Sequence, residues 1–503
     1  MDIAARVVLV MDGLVVTYLV VFFAINFWFV ALSANRVRRL LFRDQIRPPM
    51  TDAHSAFLPP LTLLVPAYNE EVTCIESVKS LLRLDYPSYE VIICNDGSKD
   101  RTVEVLRAAF GFERTDVNYD PVLATAPVRG LYQATCALPA NVKRLVLIDK
   151  ANGGKADALN AAINAAEGVF VSSMDADSVL EPDALLRAMQ VVADDPSHTI
   201  AVGTQVGLSN GSVIENGEVK ELRLPPTWIA RFQVAEYMRS FTQGRTALAR
   251  LNSILILSGV FALMRRDLVI SAGGFLTKHV RGRVVEEYCG AGAHTVCEDM
   301  EVVVRLHRYL LDRGRVGVVN FLPHPAAWTE APEVYRDLGK QRGRWYRGLL
   351  EVLWYHRAMM FRPRYRRIGM FSLPYQLIFE AAAPIVEALG YVMVPFTLAF
   401  GLLSPLHALT FLVLATALNV FLTTASVVLS VKTQRIGLGK DRALFAYGKA
   451  RDTLTLLFSG FVANFGYRQY LVWWQLKGLR DFLKGRKDWD KFARKGFAGT
   501  VAK

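Results

Sequence analysis

The sequence predicts an α/β protein: a mostly parallel sheet domain flanked by transmembrane and interfacial helices. Between residues 61 and 330, apolar runs of strand length alternate with amphipathic helical stretches, the pattern of a parallel sheet with crossover helices. Outside that region lie long, nearly uncharged apolar runs at 7–34, 372–402 and 408–430, each long enough for a bilayer span. Hydrophobic residues make up 52% of the 503, enough to supply both a domain core and membrane helices.

Residues 1–34 read as a retained N-terminal span, too long for a signal-peptide core, with Asp12 as the one charge in its apolar run. A basic juxtamembrane linker, 35–60, follows with Arg36, Arg38, Arg39, Arg43 and Arg47, whereas only Arg6 precedes the run. Because Lys and Arg stay on the cytoplasmic side, the N-terminus faces out. The 61–330 domain then lies in the cytoplasm of a multi-pass inner-membrane protein. Within it, LTLLVPAYNE, YEVIICNDGS, KRLVLIDK and GVFVSSMDAD read as strands, and KADALNAAINAA as the helix between the last two. Residues 208–224, with turn residues between polar stretches, read as an inserted hairpin.

Beyond the domain, 331–368 reads as amphipathic interfacial helices and 369–431 as two spans. Residues 432–476 form a cytoplasmic loop and a re-entrant or transmembrane segment. The apolar part of that segment, 453–467, holds fifteen uncharged residues, short of the roughly twenty a straight span needs. The tail 477–503 carries nine Lys and Arg and stays inside. Glu380 and Glu387 fall within or at the edge of the second span, facing either a polar partner or the headgroups.

Lys and Arg total 59 against 46 Asp and Glu, a net charge of +13. The basic residues cluster beside the apolar runs, which points to an anionic lipid surface and not to nucleic acid. Five cysteines with no close CxxC pair fit a reduced compartment and exclude a disulfide framework.

The chemistry-bearing residues sit where strands end and helices begin. DAD (175–177) follows an apolar strand. Asp177 or Ser178 could cap the next helix, but Asp175 and Asp177 offer more oxygens than a cap uses, and paired carboxylates suit Mg²⁺ or Mn²⁺ with substrate phosphates. NDGS (95–98) is either a turn or a carboxylate, Asp96, placed for a nucleobase. GGKADALN (153–160) gives a flexible loop, Lys155 and a helix start, suited to phosphate without being a Walker loop. Glu298 and Asp299 open a helix, where acids complement the dipole or supply a base. Cys289, His294 and Cys297 lack a fourth ligand at zinc spacing. QRGRW (341–345) combines Arg342, Arg344 and Trp345 on an amphipathic face.

Taken in order, NDGS, GGKADALN, DAD, ED and QRGRW resemble the motif series of the membrane-embedded family 2 glycosyltransferases, which include cellulose, chitin, hyaluronan and poly-N-acetylglucosamine synthases. The resemblance covers about 61–354 and implies a GT-A catalytic domain using a UDP-sugar, either UDP-glucose or UDP-N-acetylglucosamine. By the same resemblance Asp96 contacts the uracil or ribose, Lys155 lies near the nucleotide, and Asp175 and Asp177 hold the donor diphosphate through Mg²⁺ or Mn²⁺. Asp299 is the general base beside Glu298, Arg344 lies near the diphosphate, and Trp345 and Gln341 meet the acceptor. The partners so implied are a UDP-sugar, a growing polysaccharide or a lipid acceptor, and the bilayer. The implied product is a β-linked polysaccharide, translocated across the membrane; the alternative is a glycolipid made by single additions. One departure stands out: Cys297 occupies the place where many members have Thr.

Overall fold

The computed structural model describes residues 3–46, 58–175, 178–215, 218–280, 282–437, 447 and 449–486. In chain order the described strands are β1 (Leu61–Ala67), β2 (Tyr89–Asp96), β3 (Phe112–Arg114), β4 (Val128–Ala134), β5 (Val142–Lys150), β6 (Phe170–Ser173), β7 (Val179–Leu180), β8 (Thr199–Leu208), β9 (Val213–Glu215), β10 (Glu218–Glu221), β11 (Ala262–Arg265) and β12 (Val318–Thr329). Ten of them form one sheet in the order β3-β4-β5-β2-β1-β6-β11-β8-β12-β7. The central strands β5, β2, β1 and β6 run parallel. β9 and β10 pair as the inserted hairpin.

The four strands recognised in the sequence are the four that build this centre. Every residue of β2 is buried, as expected of a parallel strand covered on both faces. The chain winds from β1 outward to β2 and β5, then returns to lay β6 on the other side of β1. Such a reversal opens a crevice beyond the carboxyl ends of the strands. Asp96 and Lys150 end β2 and β5, and Asp175 lies two residues past β6. The crossover helix Lys155–Ala165, rich in alanine and buried along most of its length, lets β5 and β6 connect across β1 and β2. Ser178 does not cap the next helix. That helix begins at Ala184, with Asp183 in the N-cap position and its carboxylate turned to Arg187.

Among the described residues, three helices are long and apolar enough to cross a membrane: Val10–Phe42, Ile368–Ala399 and Pro405–Gln434. The first belongs to one continuous helix, Ile3–Ile46, which runs without a break through the basic residues after Ala34. The stretch 368–399 is not a uniform helix; wider π turns at Ile368–Ser372 and Gln376–Ala381 interrupt it. Toward the C-terminus Ala450–Val462 and Tyr467–Leu483 are two helices joined by a turn. At about 1.5 Å per residue, the thirteen residues of the first rise about 20 Å, short of a hydrocarbon core of about 30 Å.

Polar side chains fasten the apolar helices to the domain. The π-helical segment Met238–Arg245 carries Gln243, whose amide donates to Asn26 Oδ1 at 2.9 Å and accepts from Ser426 Oγ at 2.8 Å. Ser33 Oγ donates to the Gln243 carbonyl at 2.8 Å. Two apolar helices are thus tied to one residue of the domain. Since these groups are buried, each would cost stability unpaired.

At the far side of the sheet β8 and β12 pair in parallel with several register shifts, and Gly207 lies opposite Trp328. The Trp328 indole is fully buried and donates to Glu181 Oε1 at 2.6 Å. A Cβ on Gly207 would lie 2.1 Å from the indole ring. Gly207→Ala should therefore cost about 1–3 kcal/mol through overpacking, read as a lowered unfolding temperature of the detergent-solubilised protein.

Candidate active site

The sequence places carboxylates at strand ends in the interior, where an uncompensated charge is costly. Lys150 resolves the first part of this. Fully buried at the end of β5, its Nζ lies 2.6 Å from both Asp96 Oδ1 and Asp157 Oδ1. Burial works against the ammonium, but the bonds to Asp157 and Asp96 prevail and its pKa is raised. The backbone amides of Gly153 and Gly154 also donate to Asp96, at 2.9 and 2.8 Å. A carboxylate offers about four lone-pair sites, so the three named donors leave Asp96 room for one more. Gly97 has φ +70°, and a Cβ there would meet the Asn152 amide nitrogen at 2.8 Å. The turn after Asp96 therefore needs glycine both for its conformation and for the closeness of the GGK loop.

Lys155 resolves the second part. Its Nζ lies 2.7 Å from Asp175 Oδ1 and 3.1 Å from Glu298 Oε1. Burial alone would discharge it, yet the charges of Asp175 and Glu298 hold its pKa above the ordinary lysine value. Gly259 packs beneath this cluster: a Cβ there would sit 2.7 Å from Lys155 Nζ and 3.8 Å from Asp299 Oδ2. Asp175, Lys155, Glu298 and Asp299, from three separate segments, thus converge at the crevice. Asp177 lies outside the described residues.

Asp299 and Glu298 form the first turn of the helix Glu298–Asp312. Burial raises the Asp299 pKa to about 6, the neighbouring Glu298 charge adding to the rise and Lys155 and Arg245 opposing it. Arg245, at the end of the π-helical segment, stacks its guanidinium 4.2 Å from the Phe241 ring centre, and its Nη1 is buried without a hydrogen-bond partner among the described residues. It was not among the residues singled out in the sequence, where it has no motif; only the fold turns it toward Asp299.

The QRGRW residues lie on the helix Tyr335–Tyr355. This helix meets the Glu298 turn at Gly348, where an added Cβ would be 2.3 Å from Cys297 Sγ. The Cys297 thiol points toward the Trp345 carbonyl, at 3.7 Å. Burial and the charges of Asp299 and Glu298 push its pKa well up, opposed by the nearby Arg344. It is therefore a packing thiol between two functional turns. Arg344 and Trp345 are brought to the Glu298 turn in this way, while Gln341, one turn earlier, has Oε1 buried without a hydrogen-bond partner among the described residues.

The imagined zinc group does not form. Cys297 packs at Gly348, His294 turns to the Gly292 carbonyl, and Cys289 donates to Glu301. Cys289 does converge with Glu301 and His356. Arg305 occupies that cluster, however, with Nε and Nη2 each 2.7 Å from the Glu301 carboxylate, so it is a buried structural ion pair.

Comparison with known proteins agrees with this arrangement. The model "Glycosyl transferase family 2" matches residues 62–121, and "Glycosyltransferase like family 2" matches 117–348. A poly-beta-1,6-N-acetyl-D-glucosamine synthase of Staphylococcus epidermidis is 25% identical over 293 residues, 58% of this chain and 55% of the relative. A chondroitin synthase of Pasteurella multocida is 30% identical over 170 residues, 34% of this chain and 15% of the relative. A mannosyltransferase of Pyrobaculum calidifontis, solved with GDP-Man and Mn²⁺, superposes with a TM-score of 0.48 at 18% identity, covering 91% of this chain and 99% of that one. The chain spans about half the length of the poly-beta-1,6-N-acetyl-D-glucosamine synthase that it matches. Its sheet, helices and motif series place it plainly: the chain belongs to the family 2 glycosyltransferases, with a GT-A catalytic domain and three candidate membrane helices.

Replacing Lys150 with Met should leave Asp96 and Asp157 as buried, uncompensated carboxylates. A cost of about 3–5 kcal/mol is expected from breaking such a pair, measured by thermal or denaturant unfolding in detergent.

Proposed function

We propose that this protein is a metal-dependent, inverting glycosyltransferase that polymerises a β-linked polysaccharide from UDP-glucose or UDP-N-acetylglucosamine at the cytoplasmic face of the inner membrane and passes it outward. The observation that carries the reading is the convergence of Asp299 with the Lys155–Asp175–Glu298 cluster, closed by the QRGRW helix at Gly348. The match to a poly-beta-1,6-N-acetyl-D-glucosamine synthase supports a polysaccharide product.

Asp96, with one acceptor position left, receives a donor hydrogen from the uracil or ribose. Arg344 supplies positive charge to the diphosphate, a planar guanidinium being suited to phosphate oxygens. Trp345 offers a face on which the acceptor sugar stacks, and Gln341 a buried carbonyl oxygen for one of its hydroxyls. Asp299 takes the proton from the acceptor hydroxyl as that oxygen attacks the anomeric carbon. Direct displacement turns an α-linked donor into a β-linked product.

The donor set fits a divalent cation. Asp175 supplies hard carboxylate oxygen, with Asp177 two residues on, and the Lys155 ammonium shows that the pocket stabilises positive charge beside Asp175. When bound, Mg²⁺ or Mn²⁺ would act as a Lewis acid on the leaving diphosphate.

The test is UDP release by purified, detergent-solubilised protein across a panel of UDP-sugars, with product size recorded. One active sugar yielding a long polymer supports the reading; turnover that stops at one sugar on a lipid supports the glycolipid alternative. Asp299→Asn should lower turnover about 10²–10⁴-fold, the usual contribution of a general base. Since Asp299 works ionised and its pKa is raised to about 6, kcat/KM should fall as the pH drops through about 6. Arg245 holds that pKa down, so Arg245→Met should move the acidic limb to higher pH.

A further inference from the structure

We propose that Glu236, Arg342 and Tyr467 form a positioning unit that sets the Trp345 ring for the acceptor and couples it to the membrane helices; the proposal rests on the acceptor role given to Trp345 above. Glu236 Oε2 lies 2.6 Å from Arg342 Nη2 and accepts from the Tyr467 hydroxyl at 3.1 Å. One oxygen thus joins three helices. Arg342 in turn places its guanidinium carbon 4.6 Å from the centre of the Trp345 ring, close enough for a cation–π attraction. Residues three apart share a helix face, so an ion pair that fixes Arg342 fixes the ring beside it.

Each partner is anchored elsewhere. Glu236 lies in the helix Trp228–Tyr237, which continues into the π-helical segment held by Gln243 to Asn26 and Ser426. Tyr467 starts the helix Tyr467–Leu483, and the next residue, Arg468, makes two bonds to the Glu387 carboxylate, at 2.5 and 2.8 Å. Glu387 lies in the candidate span Ile368–Ala399. The helix of Tyr467 also presses on the QRGRW helix, with the Trp474 indole against Gly339 and the two backbones close at Gly343, where a Cβ on Gly478 would meet the Gly343 carbonyl oxygen at 2.5 Å. A shift of the membrane helices therefore reaches Trp345 through Arg342. Within QRGRW, Arg342 thus reaches Glu236, and Gly343 admits the neighbouring helix.

The experiment measures acceptor and donor KM separately, using short β-linked oligomers of whichever sugar the panel identifies. Arg342→Met and Glu236→Gln should each raise acceptor KM about tenfold and leave donor KM within about twofold, the pattern of lost acceptor binding. The double variant should be no worse than Arg342→Met, because the two act in series. Arg342→Lys keeps a cation and should restore part of the loss. Tyr467→Phe, which deletes a single hydroxyl and leaves the packing intact, should raise acceptor KM about two- to threefold. Donor and acceptor KM moving together, or effects that multiply in the double variant, would overturn the unit. Wild-type protein that turns over no nucleotide sugar would sink the functional reading itself. Normal wild-type turnover with an unmoved acceptor KM in Arg342→Met would sink the positioning unit alone.

Discussion

Two lysines five residues apart, Lys150 and Lys155, each bridge two carboxylates, four in all from four parts of the chain. Lys150 lies between Asp96 and Asp157, and Lys155 between Asp175 and Glu298. Carboxylates gathered in a partly dry crevice repel one another and lose their hydration, so the cluster exists only because each pair shares a cation. The GGK loop between the lysines is fixed at both ends by these bonds, and its amides add two donors to Asp96. Strand ends, loop and helix start are held in one place by these shared ion pairs.

The Glu298 turn is added to this frame by close packing. Gly259 lets Lys155 and Asp299 approach the backbone, and Gly348 lets the QRGRW helix reach Cys297. At that contact a thiol of modest polarity is buried against a carbonyl, so Cys297 suits the site as a packing group. The raised pKa of Asp299 follows from the same closeness, since burial and Glu298 act together on its carboxyl. A carboxyl group with a pKa of about 6 is mostly ionised at neutral pH, as the proposed role of Asp299 requires.

Much of this arrangement was legible in the sequence. β1, β2, β5 and β6 announced themselves as apolar runs, and Asp96, Lys155, Asp175, Glu298 and Asp299 stood at their ends or at helix starts. Lys150 and Asp157 were visible letters within IDK and GKADALN, but nothing local says that a lysine at a strand end will be buried between two acids. Arg245, Gly259, Glu236 and Gln243 carry no motif. Their roles come from which surfaces meet when helices cross, and that depends on residues from tens to more than two hundred positions away. The expected cap at Ser178 failed for a related reason: the chain first makes the short strand β7, pairing with β12, before the helix starts at Ala184.

The sequence by itself determined the α/β class, the order of the central strands' chemistry, the apolar lengths suited to three spans, and the motif series of a family 2 glycosyltransferase. These are local properties: periodicity, run length and short spacing report directly on backbone geometry and burial. Only the tertiary structure decided which cation serves which carboxylate, why Cys297 is buried, and how Trp345 is linked through Arg342 and Glu236 to the membrane helices. Ion pairs and helix contacts act over a few ångströms in space, and separations such as 236 to 467 place no constraint on that distance until the chain has folded.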